Sequence, residues 1–294
     1  FDYPVVYDEG GNGLVNSIKR ENGPVYFYKS KNLVKKGVKN LLSLGIQKFS
    51  LDLIKRVWVL PQKMYMIFNS NYALNFAKER HVPVDHARVI HSGVDTSIFR
   101  YLHREKMGEP VKIIVPGRIT RYKGTKDALY LLKELLSRGI NTQITIVGDW
   151  FSPEYFEEVN ADRITLGLEK SLTILPMISQ EDLVRLYQNS DICFFPSYQK
   201  YGLSRVPLEA MACGCLVLTY GNEGSEEIIM DRHTGFIIPE GDLVSASDII
   251  EMLIHDPQEY KNISSAARSI IEQEYGLDQY INCVETFLTR CKVQ

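Results

Sequence analysis

The 294-residue chain has the length and composition of an ordinary folded protein. Hydrophobic residues make up 45% and charged residues 24% of it, which excludes a disordered chain and allows one large or two medium domains. No apolar run approaches the roughly 20 residues of a membrane-spanning helix, and the first residues lack a signal-peptide pattern. Five cysteines at irregular spacing indicate reduced thiols, so we expect a cytoplasmic protein.

A net charge of −2 conceals two halves of opposite sign. Residues 1–100 hold 15 Lys and Arg against 8 Asp and Glu, and residues 101–294 hold 19 against 28, so the halves carry +7 and −9. Most of the positive charge lies in residues 19–63, interleaved with apolar residues. This segment is either a solvated helix face with its apolar side in the core or a peripheral contact with the inner face of an anionic membrane.

Up to residue 105, apolar and polar stretches alternate between strand and helix periods. The pattern predicts strands at residues 5–8, 24–29, 64–69 and 88–91, and helices at 13–21, 32–58 and 71–80. A polar, irregular stretch then precedes a strongly apolar strand that starts at residue 111. This shift marks a domain boundary near residue 105.

The alternation continues through the second domain. It predicts strands at residues 111–115, 143–147, 171–175, 192–195, 215–219 and 234–238, the last one at the sheet edge, and helices at 125–138, 153–166, 180–188, 207–213, 243–255, 262–274 and 279–291. Such an order is typical of a doubly wound α/β fold. Ligands of these folds lie at the carboxyl ends of the strands.

The stretch 191–227 is central to this pattern. A buried strand leads into a polar turn with Gly202, and a helix follows that we expect to begin at Pro207 and to end at Gly214. A second apolar strand comes directly after it. In this β-α-β unit we expect the chemistry in the loop 197–205 and at the start of the helix.

Two cations follow the first strand of the second domain. Arg118 and Lys123 precede a helix whose amino end carries positive partial charge, which favours an anion such as a diphosphate. The alternative is a pair of solvated surface cations. Glu209, placed in the first turn of its helix, either holds ribose hydroxyls or caps the helix. Gly202 allows the main chain to approach a phosphate or a sugar closely.

Several motifs in order resemble one enzyme family. They resemble the carboxyl-terminal donor domain of retaining GT-B glycosyltransferases of family 4, the glycosyl-transferases group 1, and are GRITRYKG (117–124), IVGD (146–149), LVRLYQNSDICFFPS (183–197), GLSRVPLEAMACGCLVLTYGNEGSEEII (202–229) and HTGFIIPEGD (233–242). NSNYALNFAKE (69–79) and VIHSGVDTSIF (89–99) resemble the family's linker region. The resemblance implies a GT-B fold of Rossmann-like parallel sheets. It also implies sugar transfer from a nucleotide-diphosphate sugar to an acceptor with retention of configuration.

The resemblance assigns roles to individual positions. Arg118 and Lys123 would be the catalytic pair that holds the diphosphate and stabilises the leaving group, and Glu209 would bind the ribose. Main chain near Met177 and Ile178 would contact the base. The remaining donor-binding positions are Gly117, Gly148, Gln199, Gly202, Leu203 and Ser204. Because cations replace a metal and the chain has no Asp-x-Asp pair, we expect neither a metal nor a cofactor.

The chain departs from the family pattern in two places. The family usually has a second glutamate eight residues before the position of Glu209. Tyr201 occupies that position here, and the uncharged Gln199 is nearby. The chain also enters the amino-terminal domain at the family's fourth strand. We therefore expect a partial acceptor-side domain with linker (1–105), a donor domain (106–278) and a last helix (279–294) that packs back on the amino-terminal domain.

Two alternatives stay open. The chain could be a non-catalytic nucleotide-sugar-binding subunit that completes a partner chain, or a nucleotide-sugar epimerase or phosphorylase on the same fold. The expected partners are a nucleotide sugar and a sugar or lipid-linked acceptor, and a partner chain would supply the missing half-domain. We expect no nucleic-acid partner. The sequence names neither the base nor the sugar.

Overall fold

The computed structural model describes residues 65–293 apart from residues 80, 81, 83, 151 and 201. The elements predicted before residue 64 and the basic segment 19–63 lie outside the described residues, so both interpretations of that segment stay predictions. Tyr201 also lies outside them. In the described ranges, each helix is too short or too polar to span a bilayer.

The described residues belong to two compact units, of which Ser92–Ile281 is the larger. In the smaller unit, strand β1 (Tyr65–Phe68), helix α1 (Asn71–Glu79) and strand β2 (His86–Val89) follow one another. The two strands are parallel, with Tyr65 opposite His86. Side chains of β1 and α1 form a small apolar cluster of Met66, Phe68, Ala73 and Ala77.

Strands and helices alternate through the larger unit as the sequence predicts. The elements in chain order are β3 (Val111–Pro116), α2 (Thr125–Ser137), β4 (Thr142–Val147), α3 (Pro153–Thr165), β5 (Leu172–Leu175), α4 (Gln180–Gln188), β6 (Ile192–Phe195), α5 (Arg205–Cys213), β7 (Leu216–Thr219), β8 (Phe236–Ile237), α6 (Leu243–His255) and α7 (Pro257–Glu274). Helix α8 (Leu277–Val293) begins in this unit and continues into the smaller one. There the ring of Phe287 meets Tyr65 edge to face at 6.4 Å.

The larger unit contains one parallel sheet in the order β5-β4-β3-β6-β7-β8. The chain lays strands outward from β3 to β5, then returns to β6 and continues outward on the other side. This order places a topological switch point between β3 and β6, where open α/β sheets bind their ligands. β8 lies at the edge, as predicted.

Helices cover both faces of this sheet. Ile113 and Ile114 are successive residues of β3, and their side chains enter two different clusters because side chains alternate along a strand. The first cluster includes α2, α3 and α6, and the second includes α4 and α5, while α7 contributes to both. The predicted Rossmann-like α/β class is confirmed.

Three helix starts differ from the prediction, and that of α8 does so by two residues, because it begins at Leu277 rather than residue 279. Helix α5 begins at Arg205 rather than Pro207, because the side chain of Ser204 accepts the main-chain N–H of Val206 and caps the helix. Glu209 is therefore its fifth residue, so the placement of Glu209 in the first turn was wrong. Helix α7 begins at Pro257 rather than residue 262, because Asp256 caps it.

The linker after residue 91 packs on the larger unit. Val94 N donates to Tyr275 O at 2.8 Å, and Leu102 N donates to Cys213 O at 3.1 Å. Residues 92–105 accordingly group with Ser92–Ile281, whereas residues from 282 onward group with the smaller unit. The boundaries near residues 105 and 278, between the acceptor-side domain, the donor domain and the last helix, stay predictions.

A buried carboxylate fixes the linker to the sheet. Asp191, at the start of β6, is fully buried, and it accepts hydrogen bonds from Arg104 Nη1 at 2.7 Å, Gly108 N at 3.0 Å and Lys112 N at 2.8 Å. The side chain of Arg104 is 18% exposed, so both charges of this pair are largely removed from water. Sequence reasoning gave Asp191 no role.

Candidate donor-binding site

Loops from neighbouring strands meet at the carboxyl edge of the larger sheet. β3 and β6 flank the switch point, and the loops that follow them are joined because Tyr198 N donates to Tyr122 O at 2.8 Å. The loop after β7 joins them as well, since Ser204 N donates to Glu223 O at 3.0 Å. The predicted site residues on these loops therefore lie along a single edge.

Two glycines hold the loops after β3 and β4 together. Gly148 has φ +153°, and a Cβ at this position would lie 1.9 Å from Gly117 O, so only glycine fits. Ile119 N donates to Asp149 O at 2.8 Å on the same side. A Cβ on Gly117 would meet no described atom within 4 Å. The main chain at Gly117 thus faces open space that a ligand could occupy.

Arg118 differs from the neighbouring cations. Its side chain is exposed, and it forms no ion pair with any described residue. By contrast, Arg121 pairs with Glu158 at 2.5 Å and lies 4.9 Å from the Tyr155 ring centroid. An unpaired guanidinium at a switch point is suited to bidentate recognition of a phosphate.

Lys123 lies deeper and is paired. Its side chain is 17% exposed, and Nζ contacts the carboxylate of Glu223, whose side chain is 7% exposed. Nζ also lies 5.4 Å from the Phe195 ring centroid. The alternative of two solvated cations therefore fails for Lys123. Its positive charge is balanced by Glu223 in this structure.

The amino end of α2 meets the end of β6. Gly124 caps α2 with φ +64°, and a Cβ there would lie 2.1 Å from Pro196 O. Only glycine allows this approach. It places the positive end of the α2 dipole beside the loop 117–124, which holds Arg118 and Lys123 and is called the cation loop below. The predicted combination of cations and a helix terminus is thus present.

The loop after β6 carries one charged side chain, that of Lys200, which pairs with Glu240 at 2.9 Å. Gln199 N contacts Ser197 Oγ at 3.3 Å, and Gly202 has φ +66°. Leu203 is 5% exposed and packs in the core, so only its main chain is available to a donor. Ser204 uses its hydroxyl as the cap of α5.

Glu209 is a largely buried carboxyl group, with its side chain 13% exposed, and has two polar neighbours. Tyr187 Oη donates to Oε2 at 3.4 Å, and Arg205 Nη2 lies 3.3 Å from Oε1. Burial raises the pKa of Glu209 to about 7, although the charge of Arg205 and the Tyr187 hydrogen bond oppose that rise. Because Ser204 caps the helix, the interpretation of Glu209 as a helix cap was wrong.

The predicted base contacts lie after β5. Met177 N donates to Asp149 Oδ1 at 3.3 Å, and the Met177 side chain is 72% exposed. Ile178 is half-buried and packs against the core. An exposed thioether beside a fixed main chain offers a flexible apolar surface for a ring.

Comparisons with known proteins agree with this geometry. The family model for "Glycosyl transferases group 1" matches residues 102–270, which is more than half of the chain. The chain belongs to this family. Within the described ranges, no cluster of three or more His, Cys, Asp or Glu side chains could hold a metal ion.

Relatives of this group 1 protein include two curated glycosyltransferases. The capsular polysaccharide biosynthesis glycosyltransferase CapM of Staphylococcus aureus is 26% identical over 160 residues, covering 54% of this chain and 41% of CapM. The amylovoran biosynthesis glycosyltransferase AmsK of Erwinia amylovora is 25% identical over 199 residues, covering 66% of this chain and 48% of AmsK. The chain thus spans about half the length of the curated relatives it matches.

A solved structure shares the fold. Anabaena Alr3699/HepE in complex with UDP-glucose has a TM-score of 0.68 at 21% identity, covering 77% of this chain and 64% of HepE. With the parallel sheets described above, this likeness shows that the group 1 protein has an α/β GT-B fold and that its larger unit is of the carboxyl-terminal type.

Sequence reasoning missed Asp127, a carboxylate of α2 that contacts the loop after β6. Asp127 Oδ2 accepts from Tyr198 Oη at 2.6 Å and from Tyr220 Oη at 2.5 Å. Burial together with the Asp127 hydrogen bond raises the pKa of Tyr198 to about 12. This cluster fixes the loop after β6 to α2. No local spacing signals it, because the partners are 71 and 93 positions apart.

Replacement of Glu209 by glutamine tests its predicted ribose contact. An ionised carboxylate accepts strong hydrogen bonds from hydroxyls, so the variant should bind a nucleoside diphosphate, with UDP as the first probe, about tenfold or more weakly. Pyrophosphate has no ribose and should keep its affinity. Calorimetric titration of both ligands measures the difference. If UDP and pyrophosphate are weakened equally, Glu209 does not bind the ribose and only stabilises the fold through its hydrogen bond with Tyr187.

The same residue predicts a pH dependence. With a pKa of about 7, roughly a tenth of Glu209 is ionised at pH 6, so UDP affinity relative to pyrophosphate should rise between pH 6 and pH 8. The glutamine variant should lack this rise. The free energy of unfolding changes in the opposite direction. Because the pKa of Glu209 in the folded chain lies above its ordinary value of 4.5, the stabilisation from protonated Glu209 is fully present below pH 4.5 and is lost as the pH rises through about 7.

Proposed function

We propose that this chain binds a nucleotide-diphosphate sugar and is a retaining, family 4 glycosyltransferase acting on a sugar or lipid-linked acceptor. The observation that carries the proposal is the unpaired, exposed Arg118 beside the open main chain of Gly117 at the switch point. Membership in the group 1 family supports it. The names of CapM and AmsK support polysaccharide biosynthesis as the setting.

In this proposal, the cation loop assists departure of the nucleoside diphosphate. The bond between the anomeric carbon and the diphosphate oxygen breaks, and an acceptor hydroxyl oxygen bonds to the anomeric carbon in its place. Negative charge grows on the leaving diphosphate oxygen, which takes up the proton that the acceptor hydroxyl loses. Lys123 stabilises this charge from a position that its contacts with Glu223 and Phe195 fix before the reaction begins, and the exposed guanidinium of Arg118 adds a second positive charge at the same edge. Glu209 binds the ribose, the main chain of residues 202–204 lies beside the sugar and phosphates, and Ile178 lies near the base.

Binding to a panel of nucleotides tests the proposal directly. We expect one of UDP, GDP, ADP and TDP to bind in calorimetry, and we expect the same affinity in EDTA, because cations rather than a metal neutralise the diphosphate. UDP comes first, since the HepE structure holds UDP-glucose. Absence of binding by all four nucleotides contradicts the proposal, and loss of binding in EDTA contradicts its metal independence.

The replacement of the usual glutamate by Tyr201 favours one second candidate. In it, the chain binds the nucleotide sugar without transferring it and completes a partner chain. Sugar transfer by the isolated chain to an added acceptor would eliminate this candidate, while activity only with a second polypeptide would support it. Conversion of the nucleotide sugar, without an acceptor, into a product whose sugar has an inverted carbon would instead indicate an epimerase.

A further inference from the structure

Glu223 is held in the predicted donor site in an unusual backbone conformation. It follows β7, has φ +54° in the left-handed region, and its residue is 6% exposed. A non-glycine residue in this region is uncommon, and glycine would relieve the strain. Backbone strain of this kind is found at functional sites more often than elsewhere.

The carboxylate of Glu223 connects three loops of that edge. Its Oε1 atom accepts hydrogen bonds from Lys123 Nζ after β3 and from Ser197 Oγ after β6. Its main-chain oxygen accepts from Ser204 N. The next residue, Gly224, packs closely against the loop after β6, since a Cβ there would lie 2.9 Å from Gly202 O. The acidic group is thus fixed against the segment proposed to face the sugar and phosphates.

One carboxylate oxygen of Glu223 keeps its acceptor capacity. Both side-chain hydrogen bonds end on Oε1, and among the described residues none uses Oε2. A carboxylate offers about four acceptor positions, so Oε2 can accept hydroxyl groups. The loop before α5, residues 197–204, contains no Asp or Glu.

We infer that Glu223 is the residue by which this chain recognises the donor sugar, with Oε2 accepting a sugar hydroxyl while Oε1 positions Lys123. The inference rests on the proposed function. A negative charge beside Lys123 disfavours a bare nucleoside diphosphate, which carries more charge than the sugar ester. Glu223 therefore makes the site prefer the intact nucleotide sugar over the nucleoside diphosphate product.

The test compares two ligands on one protein sample. UDP and UDP-glucose are titrated calorimetrically into the wild-type chain and into Glu223→Gln, or, if the panel identifies another base, the diphosphate of that base and its glucose ester. The variant should bind the sugar ester at least tenfold more weakly relative to the diphosphate, because loss of a hydrogen bond to a charged group costs about 10- to 150-fold.

Glu226→Gln is the matched control. Glu226 lies in the same loop but is exposed and contacts neither Lys123 nor Ser197, so the affinity ratio should keep its wild-type value. The ratio comes from a single sample, so partial unfolding of a variant does not change it. If Glu223→Gln fails to fold, Glu223→Asp keeps the charge, tolerates the left-handed backbone, and should shift the ratio in the same direction.

Two outcomes would overturn the inference. Equal tightening of both ligands would show that Glu223 only competes with the diphosphate for Lys123, and equal weakening would show that it only positions Lys123. If the wild-type chain binds no nucleotide, the proposed function fails and the inference fails with it, whereas wild-type binding with an unchanged ratio removes the inference alone.

Discussion

Replacing Arg118 with alanine should weaken UDP binding by about 1.5–3 kcal/mol, or about 10- to 150-fold, without changing the thermal unfolding temperature. The expected loss is that of a charge-assisted hydrogen bond to a phosphate. Stability should be unaffected because the side chain is exposed and has no ion-pair partner among the described residues. Calorimetry and a thermal melt measure the two quantities, with whichever diphosphate the panel identifies.

Arg121→Ala is the matched control for this prediction. Arg121 is a neighbouring arginine in the same loop, but Glu158 already pairs with it, so its removal should leave UDP affinity within about twofold. If the Arg118 and Arg121 variants lose equal affinity, the effect is one of general positive charge, and Arg118 is not a specific diphosphate ligand.

Lys123→Ala should behave differently from Arg118→Ala. Removing Lys123 leaves the buried carboxylate of Glu223 without its cation, so this variant should lose stability as well as UDP affinity. The comparison separates the two cations, which the sequence treats as equivalent members of one motif. Only the structure shows that one is free for a ligand and the other is held by a distant glutamate.

Local pattern was sufficient for most of the fold. The strands from β3 to β7 are short apolar runs bounded by turns, and their hydrophobic periods predict α/β alternation because burial on both sheet faces imposes that pattern. Gly214 was correctly predicted as the end of α5, where it adopts φ +84°. The start of α5 was not, because Pro207 is acceptable within the first turn and Ser204 is an equally good cap.

The site was predictable where its residues follow strands directly. Arg118 and Gly148 come immediately after β3 and β4, so the sheet topology alone brings them to one edge. Glu223, Asp127 and Asp191 were missed because their partners are far away in sequence. Side-chain pairing across such distances depends on packing, for which a single sequence carries no periodic signal.

The largest effect on stability is expected for Asp191→Ala. The substitution would leave the guanidinium of Arg104 largely buried and unpaired, and the N–H groups of Gly108 and Lys112 would lose their acceptor. Breaking a buried ion pair on one side costs about 3–5 kcal/mol. Urea denaturation should show that loss in the free energy of unfolding.

Glu105→Ala provides the surface control for the Asp191 prediction. Glu105 lies in the same linker as Arg104 and pairs with Lys261 at 2.7 Å, but its side chain is 69% exposed. The loss in the free energy of unfolding should therefore stay below about 1 kcal/mol. The double variant Arg104→Ala, Asp191→Ala should cost less than the two single costs added, because neither charge is then left without a partner. Additive costs would mean that Asp191 stabilises the fold through its main-chain hydrogen bonds to the linker and β3, and that its pairing with Arg104 contributes little.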